Sequence, residues 1–489
     1  MVVEAAKGAV NATQDGLDWA AAHPDTRDSL GKAPDERPAG GLDPNRFDWK
    51  ECWYPVHYLE DLDKTQLTRF TLLGRDLVLW WDPQASCWRA FEDQCPHRLA
   101  PLSEGRVNEA GLLECPYHGW AFSGEGTCRF IPQQPTGGTA EQSQRACVAS
   151  LPTVEMQGLL FVYAGQPEHA HHVQVPVVEP LQTDPDGWVV INTFRDLPYD
   201  ALTLLENVLD SSHLPYTHHR SVGNRANAAP VELEVVQASR QGFRGVWAEG
   251  PRRGKLGRQD TTFVAPNLMW HDLTSKQFGR TLTVVYATPI RKGECRLFAR
   301  FPFKFPSKLP AFFIQLTPRW FSHIGQNAIL EDDQIFLHFQ ERYLEQRGGS
   351  ANFARAFYLP TRADYFVSEL HKWVNRFEAD PFPGELLPPA LPVEALLDRY
   401  HSHTQKCGSC RRAFNTIRKL RAGAAVSGAI AFLLTPLLSL LLGQAALPVV
   451  ATLTLVTSGL GVTWWLLGRL ERQMVEGRAI PPRNLPEPR

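Results

Sequence analysis

Residues 95–122 read CPHRLAPLSEGRVNEAGLLECPYHGWAF, and the fold turns on what Cys95, His97, Cys115 and His118 are for. The stretch holds two half-motifs, Cys-x-His and Cys-x-x-His, separated by residues 98–114. Two thiolates and two imidazoles suit a tetrahedral zinc. They also suit a two-iron cluster in which the thiolates hold one iron and the imidazoles the other, so each half must give one ligand to each metal. Context favours the cluster. Pro96 and Pro116 mark each half as a loop, and Gly119 lets backbone amides approach the cluster sulfurs, where hydrogen bonds tune the metal. The flanking runs FTLLGRDLVLWW (70–81) and LLFVYAG (159–165) read as short antiparallel strands. A small β-sandwich presenting two loops is the expected carrier.

Outside this stretch, 489 residues exceed what one core holds, so several folded units are expected. Lys and Arg number 50 against 52 Asp and Glu, a formal charge of -2, which argues against a nucleic-acid partner. Nine cysteines without a secreted-type framework point to a reducing compartment. Residues 1–44 have no secretory h-region, and Glu4, Asp15 and Asp18 argue against a transit peptide, so a mobile tail is expected. Residues 422–468 contain no charged side chain, and Pro436 and GQAALP (443–448) interrupt them. Two transmembrane helices joined by a tight turn are predicted, since a span needs about 20 apolar residues. Arg411, Arg412, Arg418, Lys419 and Arg421 precede the pair; Arg469, Arg472 and Arg478 follow it. By the positive-inside rule, the soluble body faces the cytoplasm or stroma.

CPHR (95–98) and CPYHGWAF (115–122) resemble the Rieske domain of non-haem iron oxygenases. The extra loop cysteines of quinol-oxidising Rieske proteins are missing, with Leu99, Ala100 and Tyr117 in that neighbourhood. The resemblance therefore implies the oxygenase type, which takes electrons from a ferredoxin. An oxygenase needs a second metal where O2 binds, and two histidines with one carboxylate on one face are the non-haem Fe(II) solution. ALTLLENVLDSSHLPYTHH (201–219) offers a helix with Leu202, Leu205 and Leu209 on one stripe, followed by Asp210, His213 and His218. Pro215 disfavours helix at Leu214, so the second imidazole can swing back from a turn. A carboxylate at Asp210 can fix the tautomer of a ligating imidazole. Downstream, AILEDDQIFLHFQE (328–341) offers Glu331, Asp332 and Asp333, where a first-turn carboxylate is also an ordinary dipole partner.

The spacing Asn207-x-x-Asp210-x-x-His213-x-x-x-x-His218 resembles the mononuclear iron motif of Rieske oxygenases. Carried over, the resemblance makes His213 and His218 iron ligands, with His219 a weaker candidate. It makes Asp210, beside Asn207, the bridge for electrons from a neighbouring subunit, and it implies a head-to-tail homotrimer. The third ligand it implies is Asp333, ahead of Gln334-Ile335-Phe336, with Asp332 second. Strand-rich VELEVV (231–236), TTFVAPNLMWHDL (261–273) and RTLTVVYATPI (280–290) lie between, and the resemblance implies a helix-grip sheet over a long helix.

FDWKECWYPVHYLEDLD (47–63), ENVLDSSHLPYTHH (206–219) and DRYHSHTQKCGSCRRAF (398–414), followed by two apolar helices, are similar to the pheophorbide a oxygenase group. That group includes the chloroplast translocon Rieske protein and a protochlorophyllide-oxidising relative. The resemblance implies an α+β protein: a Rieske β-sandwich over 45–170, an iron-binding helix-grip domain over 171–400, a Cys-x-x-Cys linker over 401–421, a transmembrane hairpin over 422–468 and a tail over 469–489. It implies a [2Fe-2S] cluster, a mononuclear iron, and oxidation by O2 of a chlorophyll-derived tetrapyrrole in a cyanobacterial thylakoid or plasma membrane, or in a plastid membrane. Cys407 and Cys410 become a regulatory dithiol open to thioredoxin, although His401, His403, Cys407 and Cys410 also form a zinc-capable set. Two other functions fit the residues: a Rieske oxygenase of a non-tetrapyrrole small molecule, and a non-catalytic membrane redox sensor.

Overall fold

The computed structural model describes residues 45–276, 279–443 and 447–486; the expected tail over 1–44 and the middle of the 443–448 turn lie outside them. Strands near the quoted loops form three small antiparallel sheets. The first runs β2 (Thr68–Leu72), β3 (Arg75–Asp82), β4 (Cys87–Glu92) and β9 (Ser150–Leu151). The second runs β5 (Arg106–Val107), β6 (Leu113–Glu114), β7 (Ala121–Phe122) and β8 (Cys128–Phe130), and it carries the two Cys/His loops. The third sets β11 (Leu159–Tyr163) between β1 (Trp53–Tyr58) and β10 (Thr153–Met156).

Every residue of β11 is buried, which explains why LLFVY is a continuous apolar run rather than an alternating one. Leu160 and Val162 pack with Leu77, Leu79 and Trp88 of the first sheet. Leu159, Phe161 and Tyr163 face the other way, among Tyr286 and Phe298 of the next sheet. One strand thus joins the loop-bearing module to the larger body of the chain.

That body is a seven-stranded antiparallel sheet in the order β12-β18-β17-β16-β15-β14-β13. Its strands are β12 (Val189–Leu197), β13 (Leu233–Ser239), β14 (Gly242–Trp247), β15 (Gln259–Val264), β16 (Leu268–Ser275), β17 (Gly279–Arg291) and β18 (Glu294–Lys304). Between β12 and β13 lie α1 (Ala201–Leu209) and the single turn α2 (Leu214–Thr217). After the sheet come α3 (Lys308–Leu316), the long α4 (Arg319–Gln346) and α5 (Tyr365–Arg376). Phe366, Leu370 and Trp373 of α5 bury against Phe243 and Phe263, alongside Leu204, Leu205 and Leu209 of α1. Helices gripped by a meander sheet match the α+β expectation.

The chain ends in α6 (Gly408–Leu442) and α7 (Leu447–Val475), with mean hydropathy 2.2 and 1.5 over their most apolar windows. Both are long and apolar enough to cross a membrane. Leu433, Leu440 and Leu441 are 68%, 84% and 71% exposed, an arrangement water does not favour. The helix starts at Gly408, well before the charge-free stretch, and its first turns are no linker. Cys407, Cys410, Phe414 and Ile417 are buried with Trp270 and Phe298, so the root of the hairpin belongs to the core built on the seven-stranded sheet.

A buried charge cluster locks that root. Glu331 of α4 accepts from Arg195 of β12 at 2.9 Å and from two nitrogens of Arg399 at 2.6 and 2.7 Å. Arg399 also donates to the Gln473 carbonyl near the end of α7.

Candidate metal centres

The two Cys/His loops are built alike. The Cys95 amide donates to the Ala100 carbonyl, and the Leu99 amide back to Cys95; the Cys115 amide donates to Trp120, and the Gly119 amide back to Cys115. Each loop thus needs a left-handed residue four positions after its cysteine. Gly119 fills that place at φ 72° without cost, whereas Leu99 does so at φ 57° against its Cβ. Cys95 and Cys115 are buried, and burial pushes the Cys95 thiol up to about 12. His97 stacks on Trp120 at 4.6 Å between ring centroids and meets the His118 ring at 4.5 Å. Its Nδ1 is buried with no hydrogen-bond partner among the described residues. Leaving such an atom unsatisfied costs about 1–3 kcal/mol. This orphaned nitrogen, the adjoining His118 imidazole and the two buried thiols of Cys95 and Cys115 make up the donor set that a [2Fe-2S] cluster with two thiolate and two imidazole ligands requires.

The second group forms where α1, α2 and α4 meet. His213, His218 and Asp333 bring one ligand atom each within 4.8 Å of one another. Their tautomers follow from what lies behind them. His213 Nδ1 donates to the Asp210 carbonyl at 2.5 Å, which frees Nε2 toward Asp333 Oδ1, 4.0 Å away. His218 Nδ1 donates to Asp332 Oδ2 at 3.2 Å, which frees Nε2 toward Asp333 Oδ2, also 3.2 Å away. Two bare imidazole nitrogens therefore face one carboxylate, with acceptors on both sides. A divalent cation satisfies all three. Burial raises the Asp333 carboxyl above its ordinary range against the pull of His218 and His213. Asn207 donates to Asp333 Oδ1 at 3.3 Å and fixes its rotation.

The run Glu331-Asp332-Asp333 resolves because successive helical residues point about 100° apart. Asp333 faces the histidines, Asp332 stands behind His218, and Glu331 turns to the arginines. His219 takes no part: its Nδ1 accepts from the Arg225 amide, in a tight turn closed against Gly223. Asp210 accepts from the Ser212 amide and hydroxyl through Oδ1, and its side chain stays 30% exposed.

Three partners lacked any short-range signal. Ser221 donates to Asp332 Oδ2 at 2.7 Å. His271 of β16 donates through Nε2 to the Val208 carbonyl while Nδ1 accepts from Gln259 and Thr261, tying the sheet to the end of α1. Burial first, and His213 nearby, push the His271 imidazole down to about 4, so it stays neutral. Beyond the hairpin, Arg483 returns to donate to the carbonyls of Thr217 and Asp332, so the described part of the tail straps the histidine turn.

At the hairpin root, Cys407 and Cys410 are buried rather than displayed. His403 and His323 of α4 join them, with all four ligand atoms within 4.8 Å. His401, counted with them from sequence, is outside, hydrogen-bonded to Asp398 at 2.6 Å and largely exposed.

Residues 52–154 match the Rieske [2Fe-2S] domain, and residues 263–351, running from the end of β15 past the end of α4, match the Pheophorbide a oxygenase family. "Pheophorbide a oxygenase, chloroplastic" of Oryza sativa subsp. japonica is 37% identical over 442 residues, 83% of this chain and 82% of that one. The chain belongs to the pheophorbide a oxygenase family of Rieske oxygenases. "Flavonoid 8-hydroxylase 2, chloroplastic" of Ocimum basilicum is 33% identical over 78% of this chain and 76% of its own. Among solved structures, dicamba monooxygenase bound to 3,6-dichlorosalicylic acid has the same fold, with TM-score 0.54 and 23% identity over 68% of this chain and 99% of that one. This family member is accordingly a Rieske non-haem iron oxygenase that uses a [2Fe-2S] cluster and a mononuclear iron.

Proposed function

We propose that the protein is a membrane-anchored monooxygenase that takes electrons from a ferredoxin and uses O2 to oxidise a chlorophyll-derived tetrapyrrole, of which pheophorbide a is the first choice. The observation that carries this is the facing of His213, His218 and Asp333 in a chain 37% identical to a pheophorbide a oxygenase. Cys95, His97, Cys115 and His118 hold the cluster, and His213, His218 and Asp333 hold the iron. The iron supplies O2 activation when bound. The chain's own residues set its stage: the Asp210 backbone carbonyl, rather than its carboxylate, and the Asp332 carboxylate fix the two imidazole tautomers from behind, and Asn207 holds the Asp333 carboxylate. Asp332→Asn is therefore expected to weaken iron binding about 10–100-fold. Iron titration of the apoprotein, followed at the mononuclear site with the Rieske signal as internal standard, measures it.

A homotrimer accounts for two exposed apolar patches. Leu99 and Tyr117, 68% and 60% exposed, cap the cluster loops; Leu214 and Tyr216 are exposed on α2, close to Asp210. Seating one subunit's loops on its neighbour's α2 covers both and brings a cluster histidine to the free side of Asp210. Membrane anchoring draws support from α3, whose Leu309, Phe312, Phe313 and Leu316 all face out. This helix precedes Arg319, which grips Asp61, and Asp61 in turn accepts from the Gly408 amide at the start of α6. A short helix with four exposed apolar side chains suits a lipid surface, from which a planar apolar pigment enters. The plastid or cyanobacterial thylakoid, with the body on the stromal or cytoplasmic side, is the expected location.

A second reading, a planar phenolic substrate, is favoured by the flavonoid hydroxylase relative. Reduced protein with ferredoxin is to be offered pheophorbide a, chlorophyllide a, protochlorophyllide and a flavone separately. Oxygenated pheophorbide a is expected; a product from the flavone alone establishes the second reading, and no product from any overturns both.

A further inference from the structure

We propose that His323, His403, Cys407 and Cys410 bind one zinc ion that clasps the membrane hairpin to the catalytic body. This centre is separate from the two iron centres. The four residues come from two places: His323 lies on α4, while the others lie on the π-turn Tyr400–Thr404 and the N-terminus of α6. All four are buried.

The hydrogen bonds behind the imidazoles decide what stands in front of them. His323 Nε2 donates to the Asn192 carbonyl at 2.8 Å, and His403 Nδ1 to the Phe194 carbonyl at 2.6 Å. Both outer nitrogens are thus protonated, and both inner ones carry bare lone pairs. Yet His323 Nδ1 and His403 Nε2 are 2.9 Å apart, acceptor against acceptor. Backbone carbonyls that fix both rings in this way are the usual outer partners of metal-bound histidines. The sulfurs complete the figure: Cys410 Sγ is 3.3 Å from each of these nitrogens, and Cys407 Sγ is 3.6 Å from His323 Nδ1.

Zinc bonds of about 2.0–2.1 Å to nitrogen and about 2.3 Å to sulfur give tetrahedral edges of about 3.3 Å between nitrogens and about 3.6 Å between nitrogen and sulfur. The observed separations match those edges within a few tenths of an ångström. They are too short for a two-iron cluster, in which imidazoles and thiolates sit on different irons. The two cysteines, at the N-cap and in the first turn of α6, are also where a helix terminus favours thiolates. Two sulfurs and two nitrogens in a closed, dry tetrahedron leave no open position, which marks a structural site. Asn192 and Phe194 lie on β12, so one ion ties the edge strand, the metal-bearing helix and the hairpin root together. Exposed thiols would serve a disulfide switch, but Cys407 is 0% and Cys410 2% exposed.

The test uses the full chain purified in detergent from cells supplied with both zinc and iron. Metal analysis is expected to find one zinc per chain beside the iron of the other two centres, and zinc-edge absorption to show two sulfur and two nitrogen neighbours. His323→Ala and the Cys407→Ala/Cys410→Ala pair should lose that zinc with the Rieske spectrum retained, while His401→Ala keeps it. If the variants fail to fold, the absorption spectrum of the unaltered chain stands alone. Less than about a tenth of a zinc per chain, a fourth iron in its place, a Cys407–Cys410 disulfide in the native protein, or a neighbour set other than two sulfurs and two nitrogens overturns the assignment.

Discussion

Asp333→Ala is expected to abolish oxygenation, with turnover falling by more than about a hundredfold, because even the hydrogen-bond partners of metal ligands are worth about 10–100-fold. The carboxylate is the only group that both bare imidazole nitrogens face among the described residues, at 4.0 and 3.2 Å. Removing it leaves His213 and His218 too few ligands to hold a cation. Iron should fall from about three to about two atoms per chain, the cluster's share remaining. Electron paramagnetic resonance of the reduced protein checks the distinction: the Rieske signal persists while product formation stops. If iron content is unchanged in Asp333→Ala but falls in Asp332→Ala, the roles of these neighbours are reversed.

Glu331→Ala is expected to give the largest loss of stability, about 3–5 kcal/mol, the cost of breaking a buried ion pair by removing one partner. Its carboxylate is the counter-ion of two buried guanidiniums, Arg195 and Arg399, and alanine would strand both. The damage should spread to the hairpin, since Arg399 also holds the end of α7. Burial alone would raise the Glu331 pKa, but Arg399 and Arg195 outweigh it and hold the carboxyl below its ordinary value. A depressed folded-state pKa means the stabilisation is complete above the unfolded value of 4.5 and is lost as pH falls through the folded one. Thermal unfolding of wild type and Glu331→Ala should therefore differ most at pH 7, and the gap should narrow below about pH 4.5. A gap that is the same at pH 7 and pH 3 contradicts the ion-pair origin.

How much of this was legible from sequence depended on distance along the chain. The cluster loops were, because all four candidate ligands lie within 95–118 and loop chemistry is local. The histidine turn was legible only in part: the spacing of Asp210, His213 and His218 pointed to it, but the helix breaks at Asp210, whose backbone is extended, while Leu214 and Pro215 open a new helical turn because proline suits the first turn of a helix. The carboxylates were harder: Glu331, Asp332 and Asp333 are chemically near-equivalent, and only the rotation of α4 assigns them to three different tasks. The zinc-capable set was misread by one ligand. His401 is a near neighbour of Cys407 in sequence, but the π-turn points it to Asp398, while His323 arrives from a helix across the core. Nothing in a short window announces such a partner. Arg483 escaped for the same reason, its two carbonyl acceptors lying in α2 and α4. The hairpin was read from composition, yet its buried root was not. Apolar character reports a span, whereas packing of Cys407, Phe414 and Ile417 on the sheet depends on the fold.

The most direct measurement is a single turnover under oxygen-18. Chemically reduced full-length protein, loaded with pheophorbide a, is mixed with labelled O2, and pigment and cluster are followed together. One labelled atom in each product molecule is expected, with oxidation of the Rieske cluster in step, and neither labelled product nor substrate-dependent cluster oxidation in His213→Ala. Cluster oxidation without labelled pigment, unchanged by His213→Ala, would contradict a pigment-oxidising iron at His213, His218 and Asp333.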